Sequence, residues 1–287
     1  MAEQVVRGSM SKLAYAPGLV DPFVDMIRTD PALPLLMLKL RGDDDEYLFQ
    51  HGMNVAMLSI TVAHTMGFNR DQVFDVGLGA MFQDIGMLRV PEQIRLAKRA
   101  ITPDERLVIE RHPISAADIL ERAGSLGQTA LMVAYQAHER VDHSGYPRRR
   151  GGQFIHPLAR IVNVADTYAA LTCTRPHRPA ITPYEAIVKI LQAARDGHFD
   201  RRVVRGFVDC LSLFPVGSYV QLSDGTVARV MRSSGAQHTR PTVVPLNADG
   251  TETDIELDMK MLSGLEVVKA LDWPEPPSDG EGVRNVA

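Results

Sequence analysis

From Asp21 to about Phe214 the apolar positions mostly recur at helical spacing, as in Val55, Leu58, Val62 and Met66, a stripe that stops at Gly67, a residue suited to ending a helix. The spacing predicts a helix beginning near Tyr47. A second helix is expected to start at an Asp71 N-cap and run through Val73, Val76, Ala80 and Met81, delivering Gln83 and Asp84 at its far end. Further helices are predicted over 103–112, 115–123, 126–138, 157–171, 182–196 and 200–213, with Thr102-Pro103 and Thr182-Pro183 each pairing a capping hydroxyl with a first-turn proline. After Phe214-Pro215 the period changes to two. Ser218–Leu222, the turn Ser223-Asp224-Gly225 and Thr226–Val230 read as a hairpin. Pro241–Leu246 and Asp254–Leu257, separated by Asn247-Ala248-Asp249-Gly250, supply two more short strands. The expected organisation is a short N-terminal helical segment over 1–44, a helical domain over 45–214, a small β subdomain over 215–272 and a disordered tail over 273–287, rich in Pro, Gly and charge. The fold class is mostly α with a small β extension.

Composition narrows the partners more than the fold. The 287 residues are 45% hydrophobic and 23% charged, which excludes wholesale disorder. Lys and Arg number 31 against 35 Asp and Glu, a formal charge of -4, so there is no broad basic footprint for a nucleic acid polymer. Two cysteines, Cys173 and Cys210, make no disulfide framework, and apolar runs such as Val76–Phe82 fall far short of the ~20 residues of a membrane span. Met1–Met10 lacks the apolar core of a secretion signal, so the expected compartment is the cytoplasm; Gly8-Ser9-Met10 reads equally as a cloning junction or a native start. The Leu- and Met-rich face near Leu33–Leu40 offers a homodimer surface, although such faces more often belong to a core.

Five metal-capable side chains stand out at helix ends or interiors: His51, Asp84, His112, His138 and Asp166. Singly, each histidine is more often a surface or satisfied core residue, Asp84 a helix-end acid paired to a neighbour, and Asp166 a buried hydrogen-bonded carboxylate. Their setting adds weight. Phe82-Gln83-Asp84-Ile85-Gly86 and Val162-Asn163-Val164-Ala165-Asp166 embed a carboxylate in apolar sequence, where an unpaired charge is costly and a bound cation would satisfy both.

Gln83-Asp84-Ile85-Gly86, Arg111-His112-Pro113, Ala137-His138-Glu139 with Ser144-Gly145-Tyr146-Pro147, and Arg160-Ile161-Val162 leading to Asp166 resemble, in this order, the HD-GYP branch of the HD-type metal phosphohydrolases. The resemblance covers about 45 to 215, and the β extension is similar to one often attached to that branch. It implies an HD-type helical fold and hydrolysis of cyclic di-GMP, a bacterial second messenger, at a site for iron or manganese-type metals. It implies Asp84 as the catalytic bridge between two metals, His51 and Asp166 serving one and His112 and His138 the other. It places Tyr146, Arg175 and Arg178 against the nucleotide, where two guanidiniums suit a dianionic ligand. On residue type alone, Tyr146 serves equally to pack its turn, and Arg175 and Arg178 as solvated loop charges. Partners implied are cyclic di-GMP and other proteins of its signalling, met through the Gly145-Tyr146-Pro147 loop.

The chain departs from the family where the chemistry is concentrated. The His-Asp doublet is Gln83-Asp84 and the His-His-Glu is Ala137-His138-Glu139, so each implied metal loses one imidazole. Met87 stands where a lysine is usual, and Tyr47 where a trimetallic subgroup has glutamate, so a third metal is not expected. His143, in Asp142-His143-Ser144, is a compensating ligand or a plain exposed loop residue, the second being favoured. Glu139, beside an implied ligand, reads as a supporting acid or a surface acid and not as a catalyst. The expectation is a degenerate module with one or two metal sites of reduced occupancy and reduced or lost hydrolysis; the alternative is an active metal-dependent phosphodiesterase.

Overall fold

The Val55, Leu58 and Val62 stripe forms one face of helix α2 (Tyr47–Thr65), and all three residues are buried. In this computed structural model, residues 15–29, 47–124, 126–173, 180–234 and 237–271 are described. Leu33–Leu40, Arg175, Arg178 and the expected tail lie outside the described residues, as does the side chain of Tyr47. Helix α1 (Ala16–Thr29) lies in the N-terminal segment, and its Val20, Val24 and Ile27 join the same core as α2.

Helix α3 (Arg70–Phe82) corrects one expectation. Its N-cap is Asn69, whose Oδ1 accepts the Gln72 amide at 3.0 Å while Gln72 Oε1 accepts the Asn69 amide at 3.1 Å. This reciprocal box satisfies two helix-end donors, so the N-cap falls two residues before Asp71. Asp71 instead lies in the first turn, where its charge suits the helix dipole. Further along, the helix expected over 103–112 stops early, as α5 (Pro103–Ile109), after a short α4 (Glu92–Arg95). Pro113 has no N–H to donate and clashes with a preceding turn, so the chain breaks and restarts as α6 (His112–Ala123), three residues earlier than expected. Helix α7 (Gln128–Gln136) is likewise shorter than 126–138, leaving His138 beyond its end.

Helices α8 (Pro157–Thr172), α9 (Pro183–Arg195) and α10 (Arg201–Leu211) complete the helical part, with Thr182 capping α9 through a box with Glu185. Helix α2 packs on α3, α8 and α10, and α3 also packs on α7. The core between them holds Leu58, Ile60, Val76, Ile161, Ile187 and Phe207, each worth roughly 1.5–3 kcal/mol when wholly withdrawn from water. Thus α2 and α8, which carry His51 and Asp166, and α3, which leads into Asp84, belong to one packed unit.

The sheet has its own smaller core of Phe214, Val220, Leu222, Ala228, Val230, Val243 and Met259. Its antiparallel order is β4-β3-β2-β1-β5, from β1 (Tyr219–Leu222), β2 (Val227–Arg232), β3 (Thr242–Pro245), β4 (Leu257–Asp258) and β5 (Val267–Leu271). The expected hairpin pairs Tyr219 with Arg229. The strand expected over 254–257 shrinks to the two residues of β4, because Thr253 and Ile255 are held by local turn bonds. The edge strand β5 was not expected: its Val268 and Lys269 are exposed in succession, without period-two burial. Tyr184 of α9 stacks on Phe214 with centroids 5.3 Å apart, which ties this core to the helices. Among the described residues no helix is long and apolar enough to cross a membrane, and Cys173 and Cys210 are buried and form no disulfide.

Candidate metal centre

Five separate elements each bring one side chain to a common point. His51 lies in the second turn of α2, Asp84 just past α3 at the head of a 3₁₀ turn (Ile85–Arg89), His112 opens α6, His138 follows α7 and Asp166 sits inside α8. The 3₁₀ turn approaches α6 very closely. A Cβ at Gly86 would run into the His112 carbonyl, so glycine is required for Asp84 and His112 to meet.

Asp84 is central. Its Oδ1 lies 3.1 Å from His112 Nε2 and 3.4 Å from His138 Nε2, and its Oδ2 lies 3.7 Å from His51 Nε2. Asp166 Oδ1 lies 2.9 Å from His51 Nε2, and its Oδ2 lies 3.6 Å from His138 Nδ1. The side chains of His51 and His112 are 1% and 2% exposed, and those of Asp84 and Asp166 16% and 15%, so the carboxylates border solvent and the imidazoles back them. Two groups of ligand atoms result, Asp84/His112/His138 and His51/Asp84/Asp166, with Asp84 common to both. Burial pushes the Asp84 carboxyl up, but the His112 and His138 imidazoles outweigh it and hold the group well below the usual carboxylate range. Asp166 is lowered in the same way, chiefly by His51 and then His138 against the same burial.

The donor set fits a divalent transition metal. His112 Nδ1 lies 2.8 Å from the Ile109 carbonyl, which can only accept, so the ring carries a proton there and Nε2 is the nitrogen that faces Asp84 and is placed to coordinate. Two acceptors 3.1 Å apart in a buried place repel unless a proton or cation lies between them. Neither His112 Nε2 nor His138 Nε2, both buried, has a hydrogen-bond partner. Imidazole nitrogen with carboxylate oxygen suits zinc, manganese or iron.

The substituted positions show what replaces the absent imidazoles. Gln83 is fully buried and its Nε2 donates to Asp166 Oδ1 at 3.0 Å, while its Oε1 has no partner. Ala137, 1% exposed, packs in the helical core and offers no donor. Met87 lies on the 3₁₀ turn after Asp84. His143 is exposed, with Nδ1 3.1 Å from the Arg149 carbonyl, and belongs to neither ligand group, in line with the loop reading.

Tyr146 reaches the same point from the following loop. Its ring stacks on His138 at 5.0 Å and 8° and meets His112 edge-on at 5.9 Å. Burial, then the Asp84 and Asp166 charges, push its phenol pKa far up, so it stays an O–H donor. The loop turns where Gly145 lies against the His138–Arg140 backbone too tightly for a Cβ, and the Tyr146 amide donates to the His138 carbonyl at 3.1 Å. Glu139 is fully buried and is no surface acid: its two carboxylate oxygens accept the Arg148 and Arg150 amides, each at 2.8 Å. Arg140, which sequence reading passed over, donates to Thr167 Oγ1 at 3.1 Å and lies 4.3 Å above the Phe199 ring. Burial lowers its pKa against the pull of Asp166, Tyr146 and Asp142. His198 was missed as well, and its Nδ1 lies 2.5 Å from Asp142. The available signal was position alone, since Arg140 directly follows the Ala137-His138-Glu139 motif.

The HD domain family matches residues 37–203, more than half of the chain. The cyclic di-GMP phosphodiesterase PA4108 of Pseudomonas aeruginosa is 31% identical over 236 residues, 82% of this chain and 56% of that protein. The 3'3'-cGAMP-specific phosphodiesterase 1 of Vibrio cholerae is 31% identical over 60% of this chain and 40% of its own length. The chain therefore spans about half the length of these curated relatives. Among solved structures, Bd1817, a HDG"Y"P protein from Bdellovibrio bacteriovorus, superimposes with a TM-score of 0.60 at 21% identity, covering 73% of this chain and 67% of its own, a likeness of fold. Ordered motifs, helical scaffold and family match agree: the chain belongs to the HD domain family, and its motifs resemble the HD-GYP branch of it.

Proposed function

We propose that this chain is a protein of bacterial cyclic di-GMP signalling that binds the nucleotide, hydrolyses it slowly or not at all, and acts in the cytoplasm through nucleotide binding or contact with other proteins. The observation that carries this reading is the pair of substitutions at the centre: Gln83 spends its amide on Asp166, and Ala137 belongs to the core. The names of the relatives support a cyclic dinucleotide as the ligand class.

His51, Asp84, His112, His138 and Asp166 are the candidate ligands for iron or manganese, in two groups that share Asp84, with occupancy reduced by the missing imidazoles. When bound, such a metal supplies Lewis acidity toward a phosphate oxygen and a hydroxide at neutral pH. The protein's own groups do the rest. Tyr146 presents a protonated phenol next to His138, able to donate to a phosphate oxygen. Arg175 and Arg178 supply planar guanidiniums for the two phosphates of the ligand. Met87 offers neither charge nor proton, so nothing at that position helps a leaving oxygen depart.

Calorimetry with cyclic di-GMP, alongside product analysis in added manganese, tests this reading. Binding without turnover is expected, and Arg175→Ala should weaken it by roughly 10- to 100-fold, the equivalent of a charged hydrogen bond of about 1.5–3 kcal/mol. Absence of binding would remove the nucleotide from the reading and leave protein contact alone. The convergence of four further donors around Asp84 favours a second reading, an active metal-dependent phosphodiesterase, and rapid turnover by the native chain would establish it.

A further inference from the structure

We propose that this chain seats a single divalent cation between Asp84, His112 and His138, and that Gln83 closes the other half of the centre with a hydrogen bond in place of a ligand. The inference rests on the metal-binding part of the function proposed above and narrows it to one half of the site.

The two halves differ in where their protons are. In the half built on α6 and the end of α7, the Ile109 carbonyl holds a His112 proton on Nδ1, so Nε2, 3.1 Å from Asp84 Oδ1, is the nitrogen placed to coordinate. His138 Nε2 faces the same oxygen from 3.4 Å, and both nitrogens are buried without a hydrogen-bond partner. Two imidazoles and a carboxylate with open positions beside them form a donor set that takes one divalent ion. Ala137 contributes nothing there, so water completes the coordination.

In the half built on α2 and α8 the same atoms are already committed. Asp166 Oδ1 accepts from Gln83 Nε2 at 3.0 Å and lies 2.9 Å from His51 Nε2. A carboxylate oxygen only accepts, so His51 must carry its proton on Nε2, the atom that would otherwise coordinate. Turning the Gln83 amide over would set its oxygen against Asp166 Oδ1, acceptor against acceptor, so the nitrogen stays inward. A second cation would have to displace both hydrogen bonds, shift the His51 proton to the other ring nitrogen and leave a buried amide N–H unpaired. No such rearrangement is required in the first half.

The test is titration of the metal-stripped full chain with manganese(II), read by metal content and by electron paramagnetic resonance. About one ion per chain with an uncoupled six-line spectrum is expected. His112→Gln should weaken manganese binding at least about tenfold, the scale on which metal sites respond to lost support. His51→Gln, which keeps an amide donor for Asp166, should leave it within about threefold, and Gln83→His should admit a second ion with a spin-coupled spectrum. Thermal melts of each variant in chelator separate misfolding from ligand loss, and His112→Asn and His51→Asn serve where glutamine does not fold. Two coupled ions in the native chain, or loss of manganese in the His51 variants with retention in the His112 variants, would overturn the inference and leave nucleotide binding standing. Manganese seated as expected without any response to cyclic di-GMP would do the reverse.

Discussion

The Glu139–Arg150 loop and the ligand cluster that it overhangs are neighbours built on opposite terms. In the loop most polar groups are matched within the protein, Arg140 Nη1 excepted: Glu139 accepts two backbone amides, Arg140 Nη2 reaches Thr167, the Val141 amide donates to the His198 carbonyl and Asp142 pairs with His198. In the cluster, His112 Nε2, His138 Nε2 and Gln83 Oε1 are buried and unmatched. The loop is therefore stable in its own right, while the cluster is completed by something brought to it. A chain can lose metal ligands from the second region without loosening the first, so the surface carrying Tyr146 outlasts the chemistry beneath it.

Glu139→Ala should break this contrast most severely. It removes both acceptors from the Arg148 and Arg150 amides and leaves a void at a fully buried position, together costing about 2–4 kcal/mol. Urea denaturation should show that loss equally with and without chelator. A loss that appears only with metal present would mean that the loop depends on the cluster after all.

Residue type and order made the cluster legible in the sequence, and proton placement kept the rest of it hidden. His51, Asp84, His112, His138 and Asp166 come from distant segments yet converge, because each is tied to a motif whose local structure the sequence announces: a helix stripe, a helix end, a proline restart. What sequence could not show is which nitrogen of His112 holds a proton, since that is set by the Ile109 carbonyl across a helix break. Arg140 was overlooked because a buried cation over Phe199 depends on a ring 59 positions away. Asn69 was passed over because Asp71 competed as a cap and the reciprocal Gln72 bond decided between them. Strand β5 lacks alternation because, among the described residues, it is an edge paired with β1 alone, so pairing rather than burial defines it.

A smaller effect sharpens the cluster's side of the contrast. With manganese at ten times its dissociation constant, metal bound to the native state alone should raise stability by about 1.4 kcal/mol. Asp84→Ala, which removes the carboxylate common to both ligand groups, should abolish that increment without touching the loop's hydrogen bonds. Paired thermal melts with and without manganese measure it. Retention of the full increment in the variant would move the metal away from Asp84.

The smallest effect concerns pH and belongs to the loop. Burial pushes the Asp142 carboxyl up, but the Ser144 hydroxyl and amide, then His198, outweigh it and hold the group at about 2. A carboxyl lowered on folding adds stability above its unfolded pKa of about 3.8 and loses it as pH falls toward the folded value. The anchor should thus be intact at about pH 5 and fade between about pH 4 and pH 2. Because His198 is 44% exposed and Asp142 27%, solvent screening keeps the contribution below about 1 kcal/mol. Asp142→Asn retains an oxygen for Ser144 but no ionisable carboxyl, so its urea midpoint should trail the parent's at about pH 5 and converge with it near pH 2. Chelator should not alter that convergence, because no ligand of the cluster takes part in the Asp142–His198 pair. A gap that stays constant with pH would show that the pair holds the loop by shape alone and that its charge contributes nothing.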